Sequence, residues 1–236
     1  MVKTVLSGEL VKTKDKQLFD DSVEFYNEWF TTPIGKLVLE TEQELINRFV
    51  DPFPGDRILD TGCGTGIFTL NFLKTGATVT GLDISRGMLL NAVTGLKSLP
   101  FSAVQGDMLR LPFKEAVFDK TVSITALEFI EDAQTAVNEL FRVTRPGGTV
   151  IVATLNSLSP WSTRRNQKAE DHLLENAFYR SPSDLLSLAG LEGEAETVVH
   201  FMNDDEPEKA ADTEREGKLR KLETGAFAAV RWRKPS

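Results

Sequence analysis

One short segment combines an acid with alternating glycines, a pattern that could cradle a small ligand. Asp60-Thr61-Gly62-Cys63-Gly64-Thr65-Gly66 directly follows the apolar pair Ile58-Leu59. Glycine suits places where the backbone takes unusual angles or where a ligand lies against bare main chain. The spacing differs from the G-x-G-x-x-G of dinucleotide sites, since Ile67 and Thr69 stand where the last glycine would fall. A carboxylate here would repel a pyrophosphate, so the segment favours a ligand with an ammonium group and no phosphate.

Three further polar groups follow predicted strands. Asp83 comes 17 positions after the last glycine, close to the spacing of roughly 20 at which an acid meets ribose hydroxyls, and Ile84 is expected to cover an adenine face. Asp107 and Met108 follow the third predicted strand, where the carboxylate and the backbone could meet the adenine amino group and a ring nitrogen. Residues 125–128 follow the fourth strand. We therefore expect these groups to converge at one edge of a sheet.

The elements that must position these groups alternate between strand and helix from Arg57 onward, which is typical of an α/β sheet. Apolar spacing predicts strands near 58–60, 77–82, 101–105, 117–124, 149–155, 194–201 and 226–232. It predicts helices near 67–74, 85–96, 132–142 and 183–189, with a turn at 145–148. The fold class is therefore a Rossmann-like, mostly parallel sheet with helices on both faces.

Residues 1–50 precede this pattern and are predicted to be a helical extension. Tyr26, Trp29 and Phe30 form either the core face of a short helix or part of a lid over the ligand. We divide the chain into this extension and a main domain at 51–236, which together form one compact unit. Within the main domain, 156–180 is expected to be a substrate loop, and 203–224 a charged solvated helix or mobile excursion.

Composition narrows the function classes. The net charge of −8 argues against a chain whose main task is to bind nucleic acid. No apolar run approaches the ~20 residues that a membrane helix needs. Cys63 is the only cysteine, and its place between glycines predicts a packed residue. A single cysteine cannot form an internal disulfide, which fits a cytoplasmic protein. His172 and His200 have no matched spacing, so neither a catalytic histidine nor a metal site is predicted.

These motifs together resemble the class I S-adenosylmethionine (SAM)-dependent methyltransferases, in particular the methyltransferase type 11, or ubiquinone-biosynthesis-like, family. The likeness covers about residues 56–155. Phe129 is a departure, because the family usually has histidine there. The segments that carry the likeness are Leu59–Gly66, Leu82–Ser85 with Met88-Leu89, Gly106–Met108 with Leu111-Pro112-Phe113, Ala126–Asp132 and Glu139–Gly148.

The resemblance implies a seven-stranded sheet with the last strand antiparallel, and SAM lying across the strand ends with S-adenosylhomocysteine (SAH) as product. It implies methyl transfer by in-line displacement. The acidic net charge favours a small-molecule acceptor, and Glu128, which follows the fourth predicted strand, is a candidate base. Two other readings remain open: a non-catalytic SAM-binding regulatory or partner subunit, and a nicotinamide (NAD) dehydrogenase, which the glycine spacing opposes. The oligomeric state is also open. The residues expected to contact the cofactor are Asp60, Thr61, Gly62, Cys63, Gly64, Asp83, Ile84, Met88, Asp107, Met108, Thr125, Tyr26 and Trp29.

Overall fold

A computed structural model describes residues 3–4, 28–165 and 177–236 of the chain. The strands are β1 (Lys3–Thr4), β2 (Arg57–Thr61), β3 (Thr78–Asp83), β4 (Phe101–Gln105), β5 (Phe118–Ile124), β6 (Thr144–Leu155), β7 (Gly193–Val198) and β8 (Phe227–Arg233). The helices are α1 (Pro33–Val50), α2 (Thr69–Lys74), α3 (Arg86–Gly95), α4 (Ala133–Val143), α5 (Pro160–Arg165), α6 (Pro182–Ser187) and α7 (Pro207–Arg220), with a 3₁₀ turn at Leu127–Phe129.

The strands form one sheet in the order β1-β4-β3-β2-β5-β6-β8-β7. Strands β1 to β6 pair in parallel, whereas β8 is antiparallel to both β6 and β7. The predicted Rossmann-like class and the antiparallel last strand are confirmed. The two-residue strand β1 adds an eighth strand beside β4 that no sequence pattern indicated.

Alternate residues of each strand pack on opposite faces of the sheet, as the two-residue repeat of a strand requires. On one face, Ile58 and Ile151 pack with α1, α2 and Trp161. On the other face, Leu59 and Val152 pack with α4 and α6. Both faces are therefore covered by helices, which leaves the loops at the strand ends as the place for a ligand.

Local capping explains where several helices begin. The Thr32 hydroxyl accepts the Gly35 N–H at the start of α1, and Pro33 occupies its first turn. The Ser85 hydroxyl accepts the Met88 N–H and so caps the start of α3. The end of β3 is thus joined directly to α3, which fixes the backbone around Asp83.

One sequence prediction needs correction, and one pair of alternatives is decided. The predicted turn at 145–148 is a bulge inside β6, because Phe118 pairs with Thr144 while Lys120 pairs with Thr149. Gly147 has a φ of 68°, which lets the extra residues loop out. The charged segment 203–224 contains the regular helix α7, which settles the two readings in favour of a helix.

Candidate cofactor-binding and active site

The carboxyl ends of β2, β3, β4 and β5 lie side by side. Thr61 at the end of β2 is paired with Leu82 on β3 and with Ser123 on β5, and Asp83 is paired with Gln105 on β4. The chain leaves β2 toward β3 and β4 on one side, while β5 and β6 lie on the other. This reversal of strand order is where open α/β sheets bind ligands.

The turn after β2 has the backbone that its glycines predict. Gly62, Gly64 and Gly66 have φ values of 71°, 53° and 83°. A Cβ on Gly62 would lie 2.3 Å from the Cβ of Ala126, whereas a Cβ on Gly64 would meet no atom within 4 Å. Gly62 is therefore required by packing, while Gly64 exposes bare main chain to open space.

Asp83 joins this turn to the end of β3. Its Oδ2 accepts the Gly64 N–H at 2.9 Å, and its Oδ1 accepts the Ser85 N–H at 2.8 Å. The residue is 8% exposed. The carboxylate is thus held in one orientation by two backbone donors beside the open space over Gly64.

Asp60, at the end of β2, lies deeper than Asp83. It is 2% exposed, and its Oδ2 accepts the Thr69 hydroxyl at 2.5 Å. Burial raises the pKa of Asp60 to about 7, the Thr69 hydrogen bond opposes this rise, and the charge of Asp83 adds to it. Asp60 is therefore a buried acid at the base of the turn.

Two neighbours of Asp60 are packed into the structure. The Thr61 hydroxyl, fully buried, donates to the Val122 carbonyl on β5. Cys63 is buried, and a Cβ on Gly81 would lie 2.7 Å from its Sγ. Burial and then the charges of Asp60 and Asp83 raise the pKa of the Cys63 thiol. The thiol is consequently a neutral packing group, as its position between glycines suggests.

The predicted adenine-side residues follow β3 and β4. Ile84 is half-buried, and its carbonyl accepts the Gln105 amide at 3.0 Å. Asp107 is half-buried, and its Oδ1 accepts the Leu109 N–H at 2.8 Å. Met88 and Met108 are buried. The structure thus gathers these side chains at the β3–β4 end of the same edge.

The segment after β5 forms the other side of the edge. Thr125 has a φ of 47°, a left-handed backbone that is rare outside glycine and asparagine and clusters at functional sites. Glu128 lies in the 3₁₀ turn with 1% exposure. The carbonyl of Glu128 accepts the Phe178 N–H at 2.7 Å.

Arg180 fastens this segment, and no sequence pattern indicated it. Its guanidinium donates to the carbonyls of Leu127 at 2.9 Å and Ile130 at 2.7 Å. Burial lowers the pKa of Arg180, although the charge of Glu128 opposes that shift. Any residue type supplies a backbone carbonyl, so the sequence does not reveal these partners. Only the three-dimensional structure shows the role of Arg180.

The structure describes only part of the predicted N-terminal site residues. Tyr26 and His172 lie outside the described residues. Glu28 and Trp29 are helical, and Trp29 is partly buried against the core face that contains α1. The α1 helix ends at Val50, which lines a cavity at the amino-terminal edge of the sheet.

His200, which the sequence left without a role, is buried beside α7. Its Nδ1 lies 3.1 Å from Glu214 Oε2, and a Cβ on Gly217 would lie 2.3 Å from its ring. Burial alone would lower the pKa of His200, but hydrogen bonds to Glu214 and the Leu222 carbonyl outweigh it and raise the pKa above 6.5. The histidine is a packing and charge partner that anchors α7.

Other features lie away from this edge. A cavity of about 590 Å³ opens at the amino-terminal edge of the sheet, where Lys120 pairs with Asp56 and Arg145 with Asp119. Asp119 is thus an ion-pair partner far from the candidate site, as its place at the start of a strand indicates.

Within the described ranges, no three acidic, histidine or cysteine side chains are arranged to hold a metal ion. No helix in those ranges is long and apolar enough to cross a membrane.

The segment that forms the candidate site matches a known family. Residues 59–152 match the family described as Methyltransferase domain, and this range holds the glycine turn and the ends of β2 to β5. The resemblance to the class I SAM-dependent methyltransferases is thereby confirmed over these residues.

Particular relatives and one solved structure agree with this class. The chain is 39% identical over 121 residues to the demethylmenaquinone methyltransferase of Streptomyces griseus, and the aligned segment covers 51% of each chain. It is 37% identical over 102 residues to the malonyl-[acyl-carrier protein] O-methyltransferase of Serratia marcescens, and that segment covers 43% of this chain and 39% of the relative. The chain thus spans about half or less of the curated relatives it matches. A SAM-dependent methyltransferase structure from Thermotoga maritima superposes with a TM-score of 0.71 at 20% identity, covering 94% of this chain and 100% of that one, which shows the shared fold.

Proposed function

We propose that this chain is a SAM-dependent methyltransferase that acts on a small-molecule acceptor and releases SAH. The observation that carries the proposal is the open space over Gly64, a left-handed glycine whose N–H is bonded to Asp83. The space lies where the sheet order reverses, within the segment that matches the methyltransferase domain family.

The residues at this edge fit SAM in chemical type. Asp83 has carboxylate oxygens, which are the acceptors that two ribose hydroxyls need, and it is bonded to the N–H of Gly64. Ile84, Met88, Asp107 and Met108 would hold the adenine. Asp60, Thr61, Gly62, Cys63, Gly64 and Thr125 would hold the amino-acid end through the turn and the start of the β5 loop.

The chemistry needs positioning more than it needs a strong protein base. SAM, when bound, supplies a methyl group activated by a positively charged sulfur. In the displacement, an acceptor atom forms a bond to that methyl as the carbon–sulfur bond breaks and the sulfur keeps the electron pair. The chain's part is to hold the two reactants in line and exclude water. Where the acceptor atom carries a proton, Glu128 in the β5 loop is our candidate to accept it.

The proposal extends to partners and surroundings. The two relatives named above act on different acceptors by name, so we propose only a small molecule, and the net charge of −8 supports this over nucleic acid. We also propose that the part of the 1–50 extension that precedes α1 forms a lid on the domain at 51–236, with Tyr26 and Trp29 over the site, and that 156–180 lines the acceptor side. A cytoplasmic location is supported by the single cysteine of the chain.

Two measurements test the proposal. Thermal stability of the purified protein is followed with SAM, SAH and NAD, and we expect the first two ligands alone to raise the melting temperature. Labelled SAM is then incubated with the protein and pooled metabolite extracts, and label should reach a small molecule. Stabilisation by NAD without SAM would overturn the proposal. Binding of SAM without transfer to any extract would instead favour the regulatory subunit.

A further inference from the structure

A buried hydrogen bond closes the base of the glycine turn. Asp60 at the end of β2 and Thr69 at the start of α2 flank the turn, and the Thr69 hydroxyl donates to Asp60 Oδ2 at 2.5 Å. Asp60 is 2% exposed and Thr69 is fully buried. Because both residues are buried, water cannot take the place of this hydrogen bond. The bond therefore joins the two elements that hold the turn.

We infer that Thr69 is a positioning residue of the cofactor site, which acts by holding Asp60 ionised and in place beneath the glycine turn. The inference rests on the proposed SAM binding and adds a residue outside the family motif quoted from the sequence. Thr69 touches no ligand in this scheme. Its effect reaches the ligand through the charge and orientation of Asp60.

The charges around Asp60 explain why one hydroxyl matters. The titratable groups beside it are Asp83, at the end of β3, and the Cys63 thiol in the turn, which burial keeps neutral. Burial and the Asp83 carboxylate favour a protonated Asp60, whereas the Thr69 hydroxyl favours the ionised form. A ligand that brings an ammonium and a sulfonium binds the ionised form more tightly.

SAM affinity should depend on pH through the ionisation of Asp60. The pKa of Asp60 is raised to about 7, so its ionised fraction grows as pH rises through neutrality, and SAM affinity should grow with it. Removing the Thr69 hydroxyl removes a group that lowers this pKa, so the rise in affinity should move to higher pH. The amino group of the ligand itself titrates near about 8, so the profiles of variants are compared with that of the wild type rather than read alone.

The experiment measures SAM affinity by calorimetry from about pH 6 to 9 in wild type, Thr69→Val, Thr69→Ser and Asp60→Asn. Thr144→Val is the matched control, because the fully buried Thr144 hydroxyl donates to the Leu140 carbonyl at the other edge of the sheet. We expect Thr69→Val to bind roughly tenfold more weakly near pH 7, which is the usual effect of one lost bond to a charged group. Its affinity should recover at higher pH, Thr69→Ser should follow the wild type, and Asp60→Asn should lose the Asp60 contribution to the profile.

The outcomes distinguish a positioning role of Thr69 from a purely structural one. If the wild type binds SAM and Thr69→Val keeps its profile, or is weakened equally at every pH, Thr69 is only structural and the inference is overturned. Should Thr69→Val not fold, Asp60→Asn decides alone, since an unchanged pH profile in that variant would also overturn it. A wild type that does not bind SAM would refute the proposed function itself. A change in Thr144→Val equal to that in Thr69→Val would show that any lost buried hydroxyl has this effect.

Discussion

A methyl group at Gly64 tests whether the glycine turn cradles the cofactor. Gly64 has a φ of 53° and a Cβ there would meet no protein atom within 4 Å. Gly64→Ala therefore costs the folded protein only the left-handed strain of an L-residue, about 1–2 kcal/mol. For a chain of this size each 1 kcal/mol lowers the melting temperature by about 2–4 °C. The same methyl group would fill space that the proposed ligand needs, at about 1–3 kcal/mol of overpacking, or roughly five- to 150-fold in Kd.

Gly190→Ala is the matched control for this experiment. Gly190 has a φ of 61° and also has nothing within 4 Å of a Cβ, but it follows α6, away from the candidate site. Calorimetric titration with SAM should show weakened binding in Gly64→Ala only, while thermal melts show a similar small loss of stability in both variants. Wild-type affinity in a folded Gly64→Ala would refute the cradle. Gly62→Ala cannot serve here, since its methyl group would strike Ala126 and damage the fold as well.

Three further outcomes are expected. Asp83→Ala should weaken SAM binding roughly ten- to a hundredfold and lower the melting temperature, because two backbone donors lose their acceptor; calorimetry with unchanged affinity would contradict this. Arg180→Gln should lower the free energy of unfolding by about 1.5–3 kcal/mol in denaturant titrations, because the carbonyls of Leu127 and Ile130 lose their charged donor; a variant as stable as the wild type would refute the clamp. The raised pKa of His200 means that its charged form adds stability below about pH 6.5 that is lost as pH rises through the folded-state pKa. The difference in unfolding free energy between wild type and His200→Gln should accordingly shrink with rising pH, and a constant difference would contradict the shift.

The cofactor side of the site could be predicted from sequence because backbone geometry constrains residue type there. Left-handed positions at Gly62 and Gly64 exclude most side chains, so they appear as glycines in the sequence. The acid at Asp83 stands at a strand end whose position follows from apolar spacing. The fold class followed from the alternation of strands and helices, and the antiparallel last strand from the family resemblance.

Other features left no such trace. Arg180 bonds to main-chain carbonyls, which any residue supplies, and the Thr69–Asp60 bond joins positions whose pairing depends on the angle between β2 and α2. The bulge at 145–148 was read as a turn because proline and glycine favour both structures. His200 became a buried partner only because α7 packs over it, which a lone histidine in a charged segment does not reveal.

The contact between Gly62 and Ala126 connects the two halves of the proposed site. Ala126 immediately precedes the 3₁₀ turn that carries Glu128, and a Cβ on Gly62 would lie 2.3 Å from its methyl group. The β5 loop therefore lies directly on the cofactor turn, so a shift of that loop changes the space available to the turn. Arg180 limits such a shift through its bonds to Leu127 and Ile130. The cofactor side is thus fixed by backbone geometry, while the acceptor side is held against it by a side-chain clamp.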